Sequence, residues 1–158
     1  MTIREIVSHP DPMLRQRSAV VEASDNTIPA LVADMFDTMY ASSGVGLAAV
    51  QIGVLKRVVV IDVAREGPPN PQVFINPEIE YAKGEPLPFQ EGCLSLPGIM
   101  IELTRPSEVK VRYVSLTREL CEIEANGVLA ICLQHEIDHL DGILITDHEA
   151  VTVPSIQD

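Results

Sequence analysis

The sequence predicts an α+β fold, in which mixed or antiparallel β-sheets pack around a central buried helix that carries the motif HExxH. Two observations predict this class. Strong helical patterns stand near each end of the chain, and between them lie short runs rich in β-branched residues. Strands that are grouped between helices are typical of α+β proteins. At 158 residues, the chain is expected to form a single domain over residues 1–158, because a chain of this length can bury a core without disulfides or a structural metal.

The two helices are predicted from different patterns. Near Ile28–Tyr40, apolar residues recur at i, i+3, i+4 and i+7, which puts them on one buried face. A polar residue within Asp25–Thr27 can cap this helix, and Pro29 is tolerated in its first turn. Near Val128–Leu140 the pattern is apolar almost all round, so this second helix is expected to be buried.

The remaining segments are predicted as strands and loops. The Gly-punctuated stretch Ser42–Gly53 suits a loop pressed against other backbone, and the Pro-rich stretch Glu66–Pro71 suits a loop between strands. Seven short strands are predicted: Val58–Val63, Val73–Asn76, Glu78–Ala82, Ile99–Leu103, Val109–Val114, Glu122–Glu124 and Ile143–Thr146.

The composition excludes several classes of function. The formal net charge is −12 and no Lys/Arg cluster interrupts it, so neither nucleic acid nor an anionic membrane is an expected partner. Aromatic residues make up only 4% of the chain, which also disfavours base stacking. Three cysteines without a signal peptide indicate a reducing compartment, and no apolar run reaches the length of a membrane span. We therefore expect a cytoplasmic protein.

The second helix contains the sequence QHEIDH at Gln134–His139. His135 and His139 are four residues apart, so both project from one face and can occupy two corners of a tetrahedral metal site. Glu136 stands between them, where a carboxylate can act as general base on water at a metal. Ionisable side chains in an otherwise apolar helix need partners, which favours a metal site over an ordinary helix.

A third metal ligand has two candidate positions. In the HExxH metalloproteases this ligand follows the motif, and here His148 and Glu149 stand there. Upstream, Cys93 lies in the sequence EGCLSLPG, although a lone cysteine is more often a small buried apolar residue. Cys121 and Cys132 are assigned to that apolar class, and Cys132 can also line a pocket because it shares the helix of the two histidines.

Three sequence blocks occur in a fixed order: GVGLAAVQ at Gly44–Gln51, EGCLS at Glu91–Ser95 and QHEIDH at Gln134–His139. Together they resemble the peptide deformylases, which remove the formyl group from the N-terminal methionine of new bacterial chains. The similarity extends from about His9 to about Asp147, nearly the whole chain. Each block alone is moderately specific, whereas all three in order make the resemblance specific to this family.

The resemblance implies a chemical role for each matching residue. Glu136 would be the general base and would pass its proton to the leaving amine. Gln51 would donate its side-chain amide to the formyl oxygen, assisted by the backbone N–H of Leu94. One divalent ion would be bound, physiologically Fe²⁺, with Zn²⁺, Ni²⁺ or Co²⁺ as replacements. Three residues would hold it: Cys93, His135 and His139.

The resemblance also implies how an N-formyl-methionyl peptide would bind. The extended peptide would meet backbone groups of four residues, as in strand addition: Gly44, Val45, Gly46 and Gly92. The methionine side chain would enter a pocket lined by four residues: Val45, Val128, Ile131 and Cys132. Glu91, placed with these binding positions, would tie the Cys93 loop to the rest of the site.

The chain departs from the family pattern at several positions. Met100 stands where many members have an arginine, whereas Arg105 is retained where a second basic residue is common. Within Ile143–Asp147, an aliphatic stretch replaces the usual aromatic residue. Typical bacterial members continue into a charged helix that docks on the ribosome, and the final sequence VTVPSIQD is neither helical nor basic in pattern. We therefore expect no C-terminal helix and no ribosome docking by that route.

Two other functions remain open from the sequence alone. A relative that binds formyl peptides or metal without turnover is opposed by the intact Glu136, Gln51 and Cys93, whereas Met100 and the short tail leave it open. A general HExxH endopeptidase would leave the EGCLS block without a role. Formate release from formyl-Met-Ala-Ser by iron-loaded protein, compared with internal cleavage of an unformylated peptide, separates the three functions.

Overall fold

The computed structural model describes residues 2–64 and 66–148, together with the backbone of residues 151–154. Three single turns of 3₁₀ helix lie at Pro12–Arg15, Ala49–Ile52 and Ile145–Asp147. The regular elements of these residues are, in chain order, α1 (Ile28–Ala41), β1 (Gly46–Ala48), β2 (Val58–Ile61), β3 (Gln72–Cys93), β4 (Leu96–Val114), β5 (Leu120–Asn126), α2 (Gly127–Leu140) and β6 (Val151–Pro154).

The strands form an antiparallel sheet in the order β1-β2-β3-β4-β5, and β6 pairs with β4 as well. β3 and β4 are unusually long, at 22 and 19 residues. A two-residue turn, Leu94 and Ser95, joins them, and Cys93 pairs with Leu96 on either side of it. The hairpin therefore ends at Cys93, which fixes the position of that side chain.

The two helices cover opposite faces of β2. Val58 and Val60 of this strand pack in one core cluster with α1, whereas Val59 and Ile61 pack in another with α2. Alternate side chains of a strand point to opposite faces, so a strand buried on both sides reads as an uninterrupted apolar run. The α+β class and the buried central helix are both confirmed.

The helix predictions agree closely with the structure. α1 begins at the predicted residue, Ile28, and ends one residue later than predicted, at Ala41. Thr27 is the N-cap residue, but its side chain makes no capping bond, whereas the Asp25 carboxylate accepts the Thr27 backbone N–H at 2.9 Å. α2 begins at Gly127, one residue earlier than predicted, and ends at Leu140 as predicted.

Several strand predictions are wrong in extent. Val73–Asn76 and Glu78–Ala82 belong to the single strand β3, which is irregular between Ile75 and Glu78 around Pro77. Proline lacks the N–H of a strand ladder, so it reads as a strand end although here it sits at a bulge. Ile99–Leu103 and Val109–Val114 are likewise parts of β4. The predicted loop Ser42–Gly53 contains β1 and a 3₁₀ turn.

The segment after α2 also differs from its prediction. Ile143–Thr146 is not a strand, because the chain turns through the 3₁₀ helix Ile145–Asp147 instead. The Asp147 carboxylate accepts the Leu144 backbone N–H at 2.8 Å, which favours this turn over an extended chain. The prediction that there is no C-terminal helix falls on residues that lie outside the described ones, apart from the backbone of residues 151–154. No helix of the described residues is long and apolar enough to cross a membrane.

Candidate active site

A cavity of about 490 Å³ lies between α2, the β3–β4 turn and the segment that leads into β1. All of the predicted site residues line it except His139 and Val128. His139 is 1% exposed and lies beneath the cavity wall, in contact with His135 and Cys93. The structure therefore brings together residues that are up to 95 positions apart in the chain, from Gly44 to His139.

Three potential metal ligands converge at one wall of this cavity. The Cys93 sulfur lies 3.3 Å from His139 Nε2, which in turn lies 3.3 Å from His135 Nε2. All three donor atoms lie within 4.8 Å of one another. Donors bound to one tetrahedral ion at 2.0–2.3 Å stand roughly 3.3–3.8 Å apart, so the cluster fits a divalent ion. A thiolate with two imidazoles is a ligand set that suits iron, zinc, cobalt and nickel.

Local structure explains why the three ligands meet. His135 and His139 are one turn apart on the same face of α2, and Cys93 is the last residue of β3. The helix is buried against the sheet, so its inner face cannot carry ionisable side chains without partners. The end of the β3–β4 hairpin supplies such a partner, the Cys93 sulfur, which lies against His139.

The carboxylate of Glu91 orients His135. It accepts a hydrogen bond from His135 Nδ1 at 2.9 Å, and two from the Arg105 guanidinium at 2.6 and 3.0 Å. Burial alone would raise the pKa of Glu91, but its bonds with His135 and Arg105 outweigh burial and lower it. Because an ionised carboxylate only accepts, Nδ1 must carry a proton, and Nε2 is the nitrogen that faces the ligand cluster.

The two histidines experience different surroundings. Burial would lower the pKa of His135, but Glu136, Cys93 and Glu91 around it raise that pKa well above its usual value. Burial and the neighbouring His135 hold the pKa of His139 well below its usual value. His139 is therefore neutral, as an imidazole that binds a metal must be.

Glu136 lies in the cavity wall beside the ligands and is 6% exposed. Its Oε2 lies 3.9 Å from His135 Nε2, and its Oε1 has no partner among the residues that the structure describes. Burial raises the pKa of Glu136 to about 7. A side chain at Gly46 would place its Cβ 2.7 Å from Oε2, so glycine at this position leaves room for the carboxylate.

Gln51 faces the same ligands from the 3₁₀ turn after β1. Its Oε1 accepts the Ala48 backbone N–H at 2.9 Å, so the amide nitrogen must point the other way. That nitrogen lies 3.1 Å from the Ser95 hydroxyl and 3.6 Å from the Cys93 sulfur. Gln51 is 2% exposed, so the orientation of this donor is fixed by its surroundings.

The positions predicted to bind a peptide surround the ligand cluster. Gly44 and Val45 lead into β1, the end strand of the sheet, and Gly46 begins it; all three line the cavity. Gly92 lies opposite, paired with Met100, whose sulfur would be 2.8 Å from a Cβ at Gly92. Leu94 lines the cavity from the first position of the β3–β4 turn.

Two expectations need correction. Val128 does not line the cavity and is 39% exposed, because it lies at the start of α2, a helical turn before Ile131. The expected methionine pocket is therefore reduced to Val45, Ile131 and Cys132, all of which line the cavity. His148 is not near the ligand cluster as a third ligand would be, since it contacts Asp138.

Other functional positions were missed by sequence reasoning. Phe89, Pro97 and Ile99 complete the apolar part of the cavity, but nothing in their local pattern marks them as cavity residues. The contact of Arg105 with Asp138 joins β4 to α2. The resemblance marks Arg105 only as a retained basic residue, and its need for partners follows from its burial, which the sequence does not show.

Comparisons with known proteins agree with this geometry. The family model described as polypeptide deformylase matches residues 3–153. The peptide deformylase of Phenylobacterium zucineum is 51% identical over 149 residues, which are 94% of this chain and 88% of that protein. The crystal structure of the Ehrlichia chaffeensis peptide deformylase in complex with actinonin is 43% identical, with a TM-score of 0.89 over 94% of this chain and 90% of that one. An Acinetobacter baumannii class I type b peptide deformylase is 33% identical, with a TM-score of 0.90 over 94% and 100%.

The fold and the site define a hydrolase whose chemistry depends on a metal. The chain belongs to the polypeptide deformylase family. Its reaction is the removal of the formyl group from the N-terminal formyl-methionine of newly made polypeptides, with release of formate.

Proposed function

We propose that Cys93, His135 and His139 hold the divalent ion of this deformylase. The convergence of one sulfur and two imidazole nitrogens within 4.8 Å, at the wall of a cavity, carries this proposal. When bound, such an ion supplies Lewis acidity that lowers the pKa of water toward ~7. The physiological ion is Fe²⁺, with Zn²⁺, Ni²⁺ or Co²⁺ able to replace it, in keeping with the mixed thiolate and imidazole donors.

Glu136 is the general base and then the general acid of the reaction. Its buried carboxylate has a pKa raised to about 7, so it can both take and return a proton near neutral pH. It takes a proton from water as the water oxygen bonds to the formyl carbon. The C–N bond then breaks, formate leaves, and Glu136 returns the proton to the new methionine amine.

Gln51 and Leu94 stabilise the negative charge that develops on the formyl oxygen. The Gln51 amide nitrogen is held toward Cys93 by the bond that its Oε1 accepts from Ala48, so it needs no reorganisation during the reaction. The Leu94 backbone N–H assists from the β3–β4 turn. Donors that are fixed before the charge develops are the effective ones in a buried site.

The substrate is an N-formyl-methionyl peptide in an extended conformation. It lies along Gly44–Gly46 and opposite Gly92, and its methionine side chain fills the pocket of Val45, Ile131 and Cys132. A thioether chain is unbranched and flexible, so it suits an irregular apolar slot. Because such peptides emerge from translation, the protein acts in the cytoplasm. Residues 1–158 form one catalytic domain.

Replacing the sulfur ligand tests the proposal. Cys93→Ser is expected to lose most of the bound iron and nearly all formate release from formyl-Met-Ala-Ser, because an alcohol is a poor ligand compared with a thiolate. Cys121→Ser is the matched control, since Cys121 lies in β5 and does not line the cavity. Metal content by elemental analysis and formate release, both on anaerobically purified protein, are the two measurements.

Each function predicts a different result in this assay. Wild-type metal content and rate in Cys93→Ser would exclude Cys93 as a ligand. Full metal occupancy of the unaltered protein without formate release would show a binding protein instead of an enzyme. Internal cleavage of an unformylated peptide would show an endopeptidase.

A further inference from the structure

A chain of polar contacts leads from His135 to His148. His135 Nδ1 lies 2.9 Å from Glu91, whose carboxylate accepts two N–H groups of Arg105. The third nitrogen of that guanidinium donates to Asp138 Oδ2 at 3.1 Å. His148 Nε2 lies 2.9 Å from the same Asp138 oxygen. The contacts thus connect β3, β4, two residues of α2 and the turn that follows α2.

Arg105 is the rigid connection in this chain. Its side chain is 7% exposed and that of Glu91 is 3% exposed, so neither can turn toward water. A guanidinium is planar, and its N–H groups have a fixed geometry, so a bond to Asp138 at one nitrogen restricts the direction of the others. Loss of the Asp138 contact would leave a buried donor unsatisfied and would free the plane that holds Glu91.

His148 stands on a firmly anchored turn. The preceding residue, Asp147, accepts the Leu144 backbone N–H at 2.8 Å and forms an ion pair with Arg15. Leu144 and Ile145 are buried in a core cluster with residues of β4. This packing fixes the backbone at His148. Its ring can therefore hold the Asp138 carboxylate in one orientation, even though the side chain of His148 is 35% exposed.

We propose that Asp138 and His148 are positioning residues for the metal ligand His135. By holding Arg105 they hold Glu91, and Glu91 sets the ring angle at which His135 presents Nε2. Groups that hydrogen-bond a ligand from behind typically change metal affinity or activity by 10–100-fold when they are removed. This inference rests on the proposed role of His135 as a ligand.

Three substitutions test the proposal against a matched control. Asp138→Asn keeps the shape of the side chain and removes its charge, and His148→Ala removes the ring. His148→Gln keeps a side-chain N–H that can reach Asp138. The control is Asp141→Asn, because Asp141 also lies at the end of α2 and pairs with an arginine, Arg57 Nη2 at 3.1 Å. That arginine donates to backbone carbonyls rather than to a group that contacts a ligand.

The first measurement is the rate at which zinc-loaded protein loses zinc to excess EDTA. We expect this rate to rise about tenfold in Asp138→Asn, at the low end of the range for such outer groups, and by less, about three- to tenfold, in His148→Ala, which lies one contact further from His135. His148→Gln should restore most of the wild-type rate. Asp141→Asn should lose zinc at the wild-type rate even if its Tm is lowered.

The second measurement is the division between kcat and KM for formyl-Met-Ala-Ser with iron-loaded protein. A misdirected ligand lowers kcat with little change in KM, whereas a general loosening of the fold does not separate the two constants in this way. A folded His148→Ala protein with wild-type zinc loss and wild-type kcat overturns the proposal, and so does an equal acceleration of zinc loss in Asp141→Asn. His148→Ala decides the question if Asp138→Asn does not fold.

Failure of this proposal is distinguishable from failure of the proposed function. If the unaltered protein binds no zinc, or if Cys93→Ser binds it normally, the metal site itself is wrong. If the unaltered protein binds zinc through Cys93 and the two positioning substitutions change nothing, the metal site stands and the roles of Asp138 and His148 are excluded.

Discussion

The two helices have the same length, 14 residues, but bury different kinds of side chain. α1 buries one stripe, which is apolar apart from Thr38. α2 buries ten residues, and four of these are polar or ionisable: Gln134, His135, Glu136 and His139. α1 is thus an ordinary amphipathic helix, whereas α2 carries polar groups into the core between the sheet and the β3–β4 hairpin.

The difference shows what each helix needs from the rest of the molecule. The buried face of α1 needs only volume and shape, which packing against β2 supplies. The polar groups of α2 need partners, which Gln134 and His135 find in different ways. Gln134 donates to the backbone carbonyls of Pro106 and Ala130, and His135 to Glu91. Glu136 Oε1 has no partner in the part of the chain that the structure describes, and it lies in the cavity wall, where it is free to accept a proton.

Substituting the base of α2 should have the largest effect. Glu136→Gln keeps the size and hydrogen-bonding shape of the side chain but cannot take a proton. We expect kcat to fall by about 10²–10⁴, the usual contribution of a positioned acid or base. Metal content should stay near that of the unaltered protein, because the three ligands remain, and KM should change little. Steady-state kinetics and metal analysis on the same sample measure both.

The matched substitution on α1 is Thr38→Val. The Thr38 hydroxyl accepts the Arg4 backbone N–H at 2.9 Å, so its loss should lower the free energy of unfolding by about 1–3 kcal/mol. Thr38→Val should leave kcat unchanged, since Thr38 does not line the cavity.

Two results would contradict the role of Glu136. If the Glu136→Gln protein bound no metal, Glu136 would be a ligand. If that protein kept the kcat of the unaltered protein, Glu136 would be excluded as the base.

The next effect compares two buried glutamines. Gln51→Leu should lower kcat by about 10²–10³, which is the usual cost of removing one donor to a developing oxyanion. Gln134→Leu should lower stability by about 1–3 kcal/mol, with kcat close to the unaltered value, because the bonds of Gln134 end on backbone carbonyls. Equal losses of kcat in the two variants would show that Gln51 acts on the fold and not on the substrate.

A core substitution in α1 should change stability without changing the chemistry. Met35 is 0% exposed, so Met35→Ala should lower the free energy of unfolding by about 2–5 kcal/mol through lost contacts and a cavity. Met35→Leu nearly conserves volume and should cost less than about 1.5 kcal/mol. Urea unfolding measures both values. A large fall in kcat for folded Met35→Ala would show that α1 contributes to the site after all.

Both helices could be predicted from sequence because their signals are local. The apolar stripe of α1 and the apolar run of α2 each lie within one continuous segment, and their ends fall within one residue of the prediction. β3 could not be predicted as one strand, since Pro77 lies where the ladder is irregular and only the long-range pairing with β4 continues the strand through it. Strand extent depends on the partner strand, which a single segment does not reveal.

The site residues also divide into those that a local signal predicts and those that depend on contacts between distant segments. The spacing of His135 and His139 predicts two ligands, because four residues make one helical turn. On residues alone, Cys93, His148 and Glu149 are all candidates for the third ligand. Glu149 lies outside the described residues, and the hairpin end that brings Cys93 to the helix separates Cys93 from His148. The exposure of Val128 was not predictable either, since the helix pattern does not show where the cavity ends. Contacts between distant segments decide such questions.

The smallest effect concerns the polar link at the end of α1. The Tyr40 hydroxyl donates to the Asp62 carboxylate at 2.6 Å, and this bond is the main reason that the pKa of Asp62 is lowered. Burial and the same carboxylate raise the pKa of Tyr40 to about 12. A carboxyl group with a lowered pKa contributes stability at pH values above its pKa in the unfolded chain, about 3.9, and this stability is lost as the pH falls through its pKa in the folded chain.

Tyr40→Phe should therefore have a pH-dependent effect. At pH 7 the variant should be less stable by about 1 kcal/mol, which is less than is usual for a bond to a charged group because Tyr40 is 48% exposed. The deficit should shrink as the pH falls below the usual pKa of aspartate and approaches the lowered pKa of folded Asp62, because Asp62 then gains its proton and the charged bond is lost from the unaltered protein as well. Urea unfolding of both proteins at pH 7 and near pH 3 measures this difference. Because phenylalanine keeps the ring, which stacks on Phe36 at 5.9 Å, the absence of any deficit at pH 7 would mean that Tyr40 stabilises the chain through its ring and not through its hydroxyl.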